Sequence, residues 1–331
     1  MIMFTEKKLF LQAAAAIVIM IFVSASPADT WQLGSDGQLK PAEQTDEFIK
    51  AVGEIKRLSA EGQLEQLKQA FEGLKTNFPE IAGPELDAFI EAEMLLCEGK
   101  LEASYRAFER FLNRFSEGRF YEAALDREFA IGTAYLQGRR KKVLKFVKIR
   151  GYAEGEKIME GIADRAGDSI IAQQSLIAVA LAYENRRKFE PAYEQWLAVS
   201  DRWPAGQIAE DALLGMARCK HAAYRGPKYD SSSLGIAKSC YERFKLMYPE
   251  DANSLEIDDR LALIEEQLAY KKFQTAQYYQ RTSTVVSDAN QVNPADFYYV
   301  IVLKNWPQST AAKMAAAAMQ VGESIEEKVQ E

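Results

Sequence analysis

Apolar residues along this chain recur at intervals of three and four, as in Phe89, Met94 and Leu95, and again in Leu101, Tyr105, Phe108, Phe111 and Leu112. That spacing lays an apolar stripe along one face of a helix and predicts amphipathic helices through most of the sequence. The two-residue alternation of strands is hard to find, so the body of the chain reads as all-α. One type of junction keeps returning between the helical stretches: "NFPEIAGPEL", "RFSEGRFYEA", "RAGDSIIAQQ", "RWPAGQIAED", "MYPEDANSLE" and "NWPQSTAAKM". Several carry a proline after an aromatic residue. Proline lacks the N–H that a continuing helix needs, so it closes a unit.

Counted from Phe78 through Phe115, Ala166, Trp203, Tyr248 and Trp306, the units are 37, 51, 37, 45 and 58 residues long. The shortest approach the roughly 34-residue period of tetratricopeptide repeats. Within residues 82 to 115, Ala92 and the break at Gly99 are followed by Ala103, Ala107 and Phe111. Small residues let paired helices approach, and an aromatic fills the groove between them. The expected fold is an all-α, tetratricopeptide-like helical-hairpin solenoid of about six hairpins. A four-helix bundle with loops would mimic two of the units.

The 51-residue interval is long because "GRRKKVLKFVKIR", residues 138–150, stands where a turn of a few residues belongs, between "YEAALDREFAIGTAYLQG" and "GYAEGEKIMEGIADR". It reads as an insertion at a hairpin tip. Arg139, Arg140, Lys141, Lys142, Lys145, Lys148 and Arg150 give it seven positive charges in a chain whose formal charge is −7, which leaves −14 on the remainder. Such a remainder repels a phosphate backbone, so nucleic acid is not an expected partner. Val143, Leu144, Phe146, Val147 and Ile149 predict a short amphipathic piece. It either docks as a solvated basic loop on an acidic repeat surface or contacts anionic lipid or an acidic partner.

At the N-terminus, Lys7 and Lys8 precede an apolar run from Leu9 to Val23, broken by Gln12 and followed by "SASPA". This is the order of a secretory signal, with cleavage expected after Ala25. The run gives only about 22 Å of helix against a hydrocarbon core of about 30 Å, so export is expected rather than a spanning helix. The expected organisation is a signal peptide at 1–25, a linker at 26–45, repeats at 46–250 carrying the insertion, and C-terminal repeats at 251–331. No cysteine lies near the junction to carry a lipid. Cys97, Cys219 and Cys240 are too few for a disulfide framework and fall in apolar helical patterns, which favours buried thiols. A Cys219–Cys240 bridge stays open if the two face each other across a helix pair.

Catalytic motifs do not emerge. The single histidine, His221, has no spaced partners for a metal site or triad, and no H-E-x-x-H, G-x-S-x-G or phosphate loop occurs. The expected protein is non-enzymatic and has no cofactor and no metal. Abundant carboxylates leave a helical envelope hydrolase as the rival class.

The stretch "LAYKKFQTAQYYQR", preceded by "DDRLALIEEQ" and followed by "YYVIVLKNWPQSTAAKMA", resembles the last repeats of the BamD-like family of tetratricopeptide outer-membrane assembly factors. Arg260, Leu268, Ala269, Phe273, Ala276, Tyr278, Tyr279, Arg281, Tyr299, Trp306 and Pro307 carry the likeness. Upstream, "YRGPKYDSSSLGIAKSCYERFKLMYPED" is similar to a variant with an extended turn, at Tyr224, Gly226, Pro227, Tyr229 and Asp230. The resemblance implies a periplasmic adaptor associated with the outer membrane. Its C-terminal repeats would dock on the periplasmic modules of the barrel-forming component, and its N-terminal concave surface would receive unfolded outer-membrane chains. Arg260 and Arg281 become candidate docking residues, with Tyr278 and Tyr279 beside them. Adjacent on a helix, these tyrosines lie about 100° apart, so only one can fully face the core. The sequence departs from the family in lacking a lipidated cysteine and in carrying the basic run. A periplasmic adaptor in envelope or cell-division maintenance is the alternative of the same architecture.

Overall fold

The computed structural model describes residues 31–33, 39–41, 46–144, 147–283 and 294–330. The expected signal peptide, its cleavage site and Lys145 lie outside the described residues. Contacts divide the chain into two compact units, Met1–Lys100 and Leu101–Glu331.

In the first unit, α1 (Asp46–Ala60), α2 (Leu64–Asn77) and α3 (Pro84–Cys97) pack on one another around Leu67, Phe71 and Leu74. The short strands β1 (Trp31–Leu33) and β2 (Leu39–Pro41) pair antiparallel within the segment expected as a linker.

The second unit runs α4 (Leu101–Arg114), α5 (Tyr121–Leu136), β3 (Arg140–Leu144), β4 (Val147–Arg150), α6 (Tyr152–Ala166), α7 (Ile170–Asn185), α8 (Phe189–Arg202), α9 (Gln207–Ala223) and α10 (Ser232–Met247). It continues through α11 (Pro249–Ser254), α12 (Ile257–Ser283), α13 (Pro294–Asn305) and α14 (Thr310–Gln330). From α4 to α10 each helix packs on the next, and α5 on α7 and α12 on α14 also touch. Packing between neighbours and next neighbours is the contact pattern of a helical-hairpin solenoid. The fold is all-α and tetratricopeptide-like.

The junctions share one backbone geometry. Phe78, Trp203 and Tyr248 each precede a proline and end their helices at φ/ψ of −131/68°, −127/83° and −132/66°. The following ring disfavours the helical region for these residues. Each still donates its N–H to the carbonyl four residues back, at 2.8–3.0 Å. The turns inside hairpins are closed the other way, by a left-handed residue: Gly62, Gly99, Gly138 and, without glycine, Arg187. At Gly138 the carbonyls of Tyr135 and Ala134 accept from Gly138 and Arg139 at 2.9 and 3.0 Å, the paired closure of a Schellman motif.

The basic insertion is a β-ribbon, which corrects the expectation of an amphipathic piece within a chain without strands. Arg140 pairs with Arg150, Lys141 with Ile149 and Lys142 with Lys148, and after a register shift Leu144 pairs with Val147. The reason is local. Four cations in succession repel one another along a helix, and "VKIR" alternates β-branched and basic residues with the period of a strand.

Buried cores centre on Trp196, Tyr241 and Phe244 between residues 163 and 264, and on Phe273 and Tyr299 between 269 and 315. Cys97, Cys219 and Cys240 are free thiols, the latter two buried, so the bridge left open does not form. Burial raises the pKa of both.

One carboxyl in the second unit is out of place for a core. Glu128 of α5 is 1% exposed and lies beside Glu109 of α4, which pairs with Arg165 at 3.0 Å, and near Tyr105. Burial, reinforced by the Glu109 carboxylate, pushes Glu128 up to about 8 from an ordinary 4.5. Between those values the folded chain holds a proton that the unfolded chain has released. Its stabilising contribution is therefore complete below about pH 4.5 and is lost as pH rises to about 8, at a limit of about 1.4 kcal/mol per pH unit. Glu128→Gln has no proton to lose. Urea unfolding between about pH 6 and 9 should show the parent losing stability more steeply than the variant. Parallel profiles would refute the assignment.

Candidate protein-docking surface

The C-terminal repeat exposes an aromatic face because its sequence carries more aromatics than one helix interface can cover. In "ADFYYVIVLKN", Ala295, Tyr299 and Val302 are buried, following the three- and four-residue spacing. Phe297 and Val300 of α13 consequently point outward and are 62% and 49% exposed. On α12, Tyr279 packs against the core, and its neighbour Tyr278 is 63% exposed. Tyr279 stacks on Tyr298 with centroids 5.2 Å apart and planes at 4°. Tyr278 and Phe297 meet this pair edge-on, from Tyr278 to Tyr279 at 5.6 Å and from Phe297 to Tyr298 at 5.4 Å. The four rings form a continuous patch that bridges α12 and α13. Lys272 lies 5.9 Å from the Tyr298 ring centroid.

Polar contacts tie α12 and α13 to the elements around them. Tyr299 donates its hydroxyl to Gln280 at 2.8 Å. Trp306 donates its indole N–H to Glu265 at 2.5 Å, and Lys238 of α10 pairs with the same carboxylate. Glu266 accepts from the backbone N–H of Thr310 at 2.8 Å, which caps the start of α14 from α12. Lys271 donates to the carbonyls of Pro227 and Tyr229, holding the extended turn that the sequence placed there.

Of the four residues named for docking, the fold gathers three. Tyr278, Tyr279 and Arg281 share the last turns of α12, with Arg281 exposed. Arg260 is also exposed but stands in the first turns of the same helix, about 30 Å away at 1.5 Å per residue, with Nε 3.5 Å from the Leu255 carbonyl. It does not belong to the aromatic patch. Phe297 and Tyr298 were missed, although three consecutive aromatics on a helix cannot all face one core.

The basic ribbon is a separate feature. Lys141 pairs with Glu154 of α6 at 2.6 Å, and Arg150 donates to the Tyr152 hydroxyl at 2.6 Å. Arg186 lies over the rings of Tyr152 and Tyr183 at 4.4 and 4.6 Å and pairs with Glu156 at 2.8 Å. Arg139 and Arg140 are exposed.

His221 is a helix residue whose Nε2 lies 3.2 Å from Gln267, with burial lowering its pKa. No group of three or more metal-ligating side chains occurs among the described residues. No helix among them is long and apolar enough to cross a membrane. A groove of about 470 Å³ between α8, α9 and α10 is lined mainly by Leu213, Met216, Ile236 and Tyr193, with Arg243 also in its wall.

Architecture and surface together define a tetratricopeptide-like helical scaffold. No protein-family profile matches the chain, and no curated protein does. Fourteen chains of solved structures match. Among them, the human IFIT1 dimer with m7Gppp-AAAA is 15% identical and covers 87% of this chain and 76% of its own, at a TM-score of 0.22. A monomeric IFIT1 mutant with Gppp-AAAA is 14% identical over 89% and 76%, also at 0.22. These superpositions are loose, and the architecture is read from the chain's own helix contacts.

Proposed function

We propose that this chain is a non-enzymatic periplasmic scaffold of outer-membrane β-barrel protein assembly. Its C-terminal repeat docks on the periplasmic part of the barrel-forming component, and its repeats receive client chains. The observation that supports this reading is the exposed patch of mutually stacked rings of Tyr278, Tyr279, Phe297 and Tyr298, at the repeat whose sequence resembles the BamD-like family. Exposed, pre-ordered aromatic rings lose little entropy on association and supply the anchors on which protein interfaces depend. Arg281 at the edge of the patch offers a charged contact of the kind found at an interface rim.

The test is affinity capture of the full chain from solubilised envelopes. A large β-barrel protein should be recovered with it. Tyr278→Ser with Phe297→Ser, both at exposed positions, should reduce that recovery by at least about tenfold, since truncated aromatic anchors cost roughly 2 kcal/mol or more. The melting temperature should barely move. Capture that lacks any barrel protein, or that is indifferent to the double substitution, would overturn the reading.

A further inference from the structure

Helices α8 and α10 both pack on α9, and the groove of about 470 Å³ runs between them. The sequence of α10 keeps it open. Leu234, Ala237, Tyr241 and Phe244 turn inward at three- and four-residue spacing, so the opposite face falls to Ser232, Gly235, Ile236, Ser239 and Arg243. Three of those five are too small to close the gap. Leu213 and Met216 of α9 line it with their side chains nearly buried, Tyr193 of α8 forms the far wall, and Ile236 is exposed.

Shape and charge select an occupant. From Ser232 to Arg243 the groove follows α10 for about 16 Å, the span of about five residues of extended chain. Spread over that length, its volume gives a cross-section of about 30 Å², room for an extended backbone but not for a helix at least about 10 Å across. The hydroxyls of Tyr193 and Ser239 punctuate the apolar wall. A polypeptide presents amides to such hydroxyls at every residue, whereas a hydrocarbon chain would bury them without partners. Of the three cations on α10, Lys238 pairs with Glu265 and Lys245 with Asp258, each at 2.5 Å. The third, Arg243, stands in the groove wall and makes no ion pair among the described residues. Its neighbour Glu242 lies instead 3.7 Å from Lys238, and no carboxylate lines the groove among the described residues. An incoming carboxylate would supply the missing partner.

We propose that the groove between α8 and α10 binds an extended segment of another polypeptide, with alternate apolar side chains on Leu213, Met216 and Ile236 and a flanking aspartate or glutamate on Arg243. This goes beyond the scaffold reading, which assigns no residues to the chains that the repeats receive. It also stands or falls separately, because its test involves neither a barrel protein nor the aromatic patch.

The probe is a fluorescent peptide of about nine residues with blocked termini, leucine at alternate positions and a glutamate at each end. Its counterparts carry glutamine for glutamate, or serine for leucine. Fluorescence polarisation with the full chain should rank the glutamate peptide at least about threefold above the glutamine one, and lose at least about tenfold with serine. Arg243→Gln should erase the first difference and leave the glutamine peptide unaffected, and about 0.5 M salt should mimic it. Gly235→Gln fills the groove, since nothing lies within 4 Å of an added Cβ there, and should weaken both leucine peptides at least about fivefold without lowering the melting temperature. The apolar N-terminal run is common to all variants and cancels in these comparisons. Equal binding of the glutamate and glutamine peptides, a preference that survives Arg243→Gln, or affinity indifferent to Gly235→Gln would each overturn the proposal.

Discussion

Replacing Arg218 by Met should destabilise the second unit by about 2–3 kcal/mol, because it strands a carboxylate inside the solenoid. Glu184, with a side chain 10% exposed, accepts two hydrogen bonds from the Arg218 guanidinium at 2.7 Å and a third from the Trp196 indole at 2.6 Å. These three residues come from α7, α8 and α9, so the cluster joins consecutive helices across two hairpins. A fully buried pair broken from one side costs about 3–5 kcal/mol, and the figure is reduced here because Arg218 is 34% exposed and partly screened. Glu184→Gln should cost less, since its amide oxygen still accepts from Trp196. Glu184→Met combined with Arg218→Met should be milder than the sum of the singles, with coupling of about 1 kcal/mol or more. Urea unfolding followed by tryptophan fluorescence measures the parent, Glu184→Gln, the two Met singles and their double. Additive losses would show that the three groups do not act as one network.

The second large effect is expected at a glycine. A Cβ at Gly155 would stand 2.8 Å from the Leu136 nitrogen and 2.9 Å from the Gly132 carbonyl oxygen. Both are backbone atoms of α5, so the contact is relieved only by moving one helix off the other. Gly155→Ala should therefore cost about 1–3 kcal/mol, despite the roughly 1 kcal/mol that alanine gains within a helix. Gly161, two turns on in the same helix, is the control: nothing lies within 4 Å of its added Cβ. Gly161→Ala should stabilise by about 0.4–1 kcal/mol. Melting temperatures of the two variants should move in opposite directions. A shift of the same sign in both would show that α5 and α6 are not in backbone contact at residue 155.

The sequence by itself determined the helices, their junctions and the place of the insertion, because these follow from local rules. Apolar spacing sets which face of a helix is buried, and a proline after Phe78, Trp203 or Tyr248 disfavours the helical conformation at those residues. The division of labour between Tyr278 and Tyr279 was legible in part: their angular separation dictates that one is turned away from the core. Which one depends on where α13 lies, and the stack of Tyr279 on Tyr298 decides that. The ribbon was missed because a short basic stretch with scattered apolar residues fits two periods, and the choice between them is made by pairing with a second strand. Arg260 and Arg281 were both candidate docking residues by resemblance, and the 27-residue length of α12 sets them at opposite ends of it. Gly155 and Gly161 look alike in "AEGEKIMEGIA"; only the approach of α5 separates a glycine that is required from one that is spare. Glu184 and Arg218 are 34 residues apart, and nothing local marks them as partners. Their pairing is a property of the stack, since close packing of successive helices takes most of the water from Glu184 and leaves the Arg218 guanidinium and the Trp196 indole to solvate it.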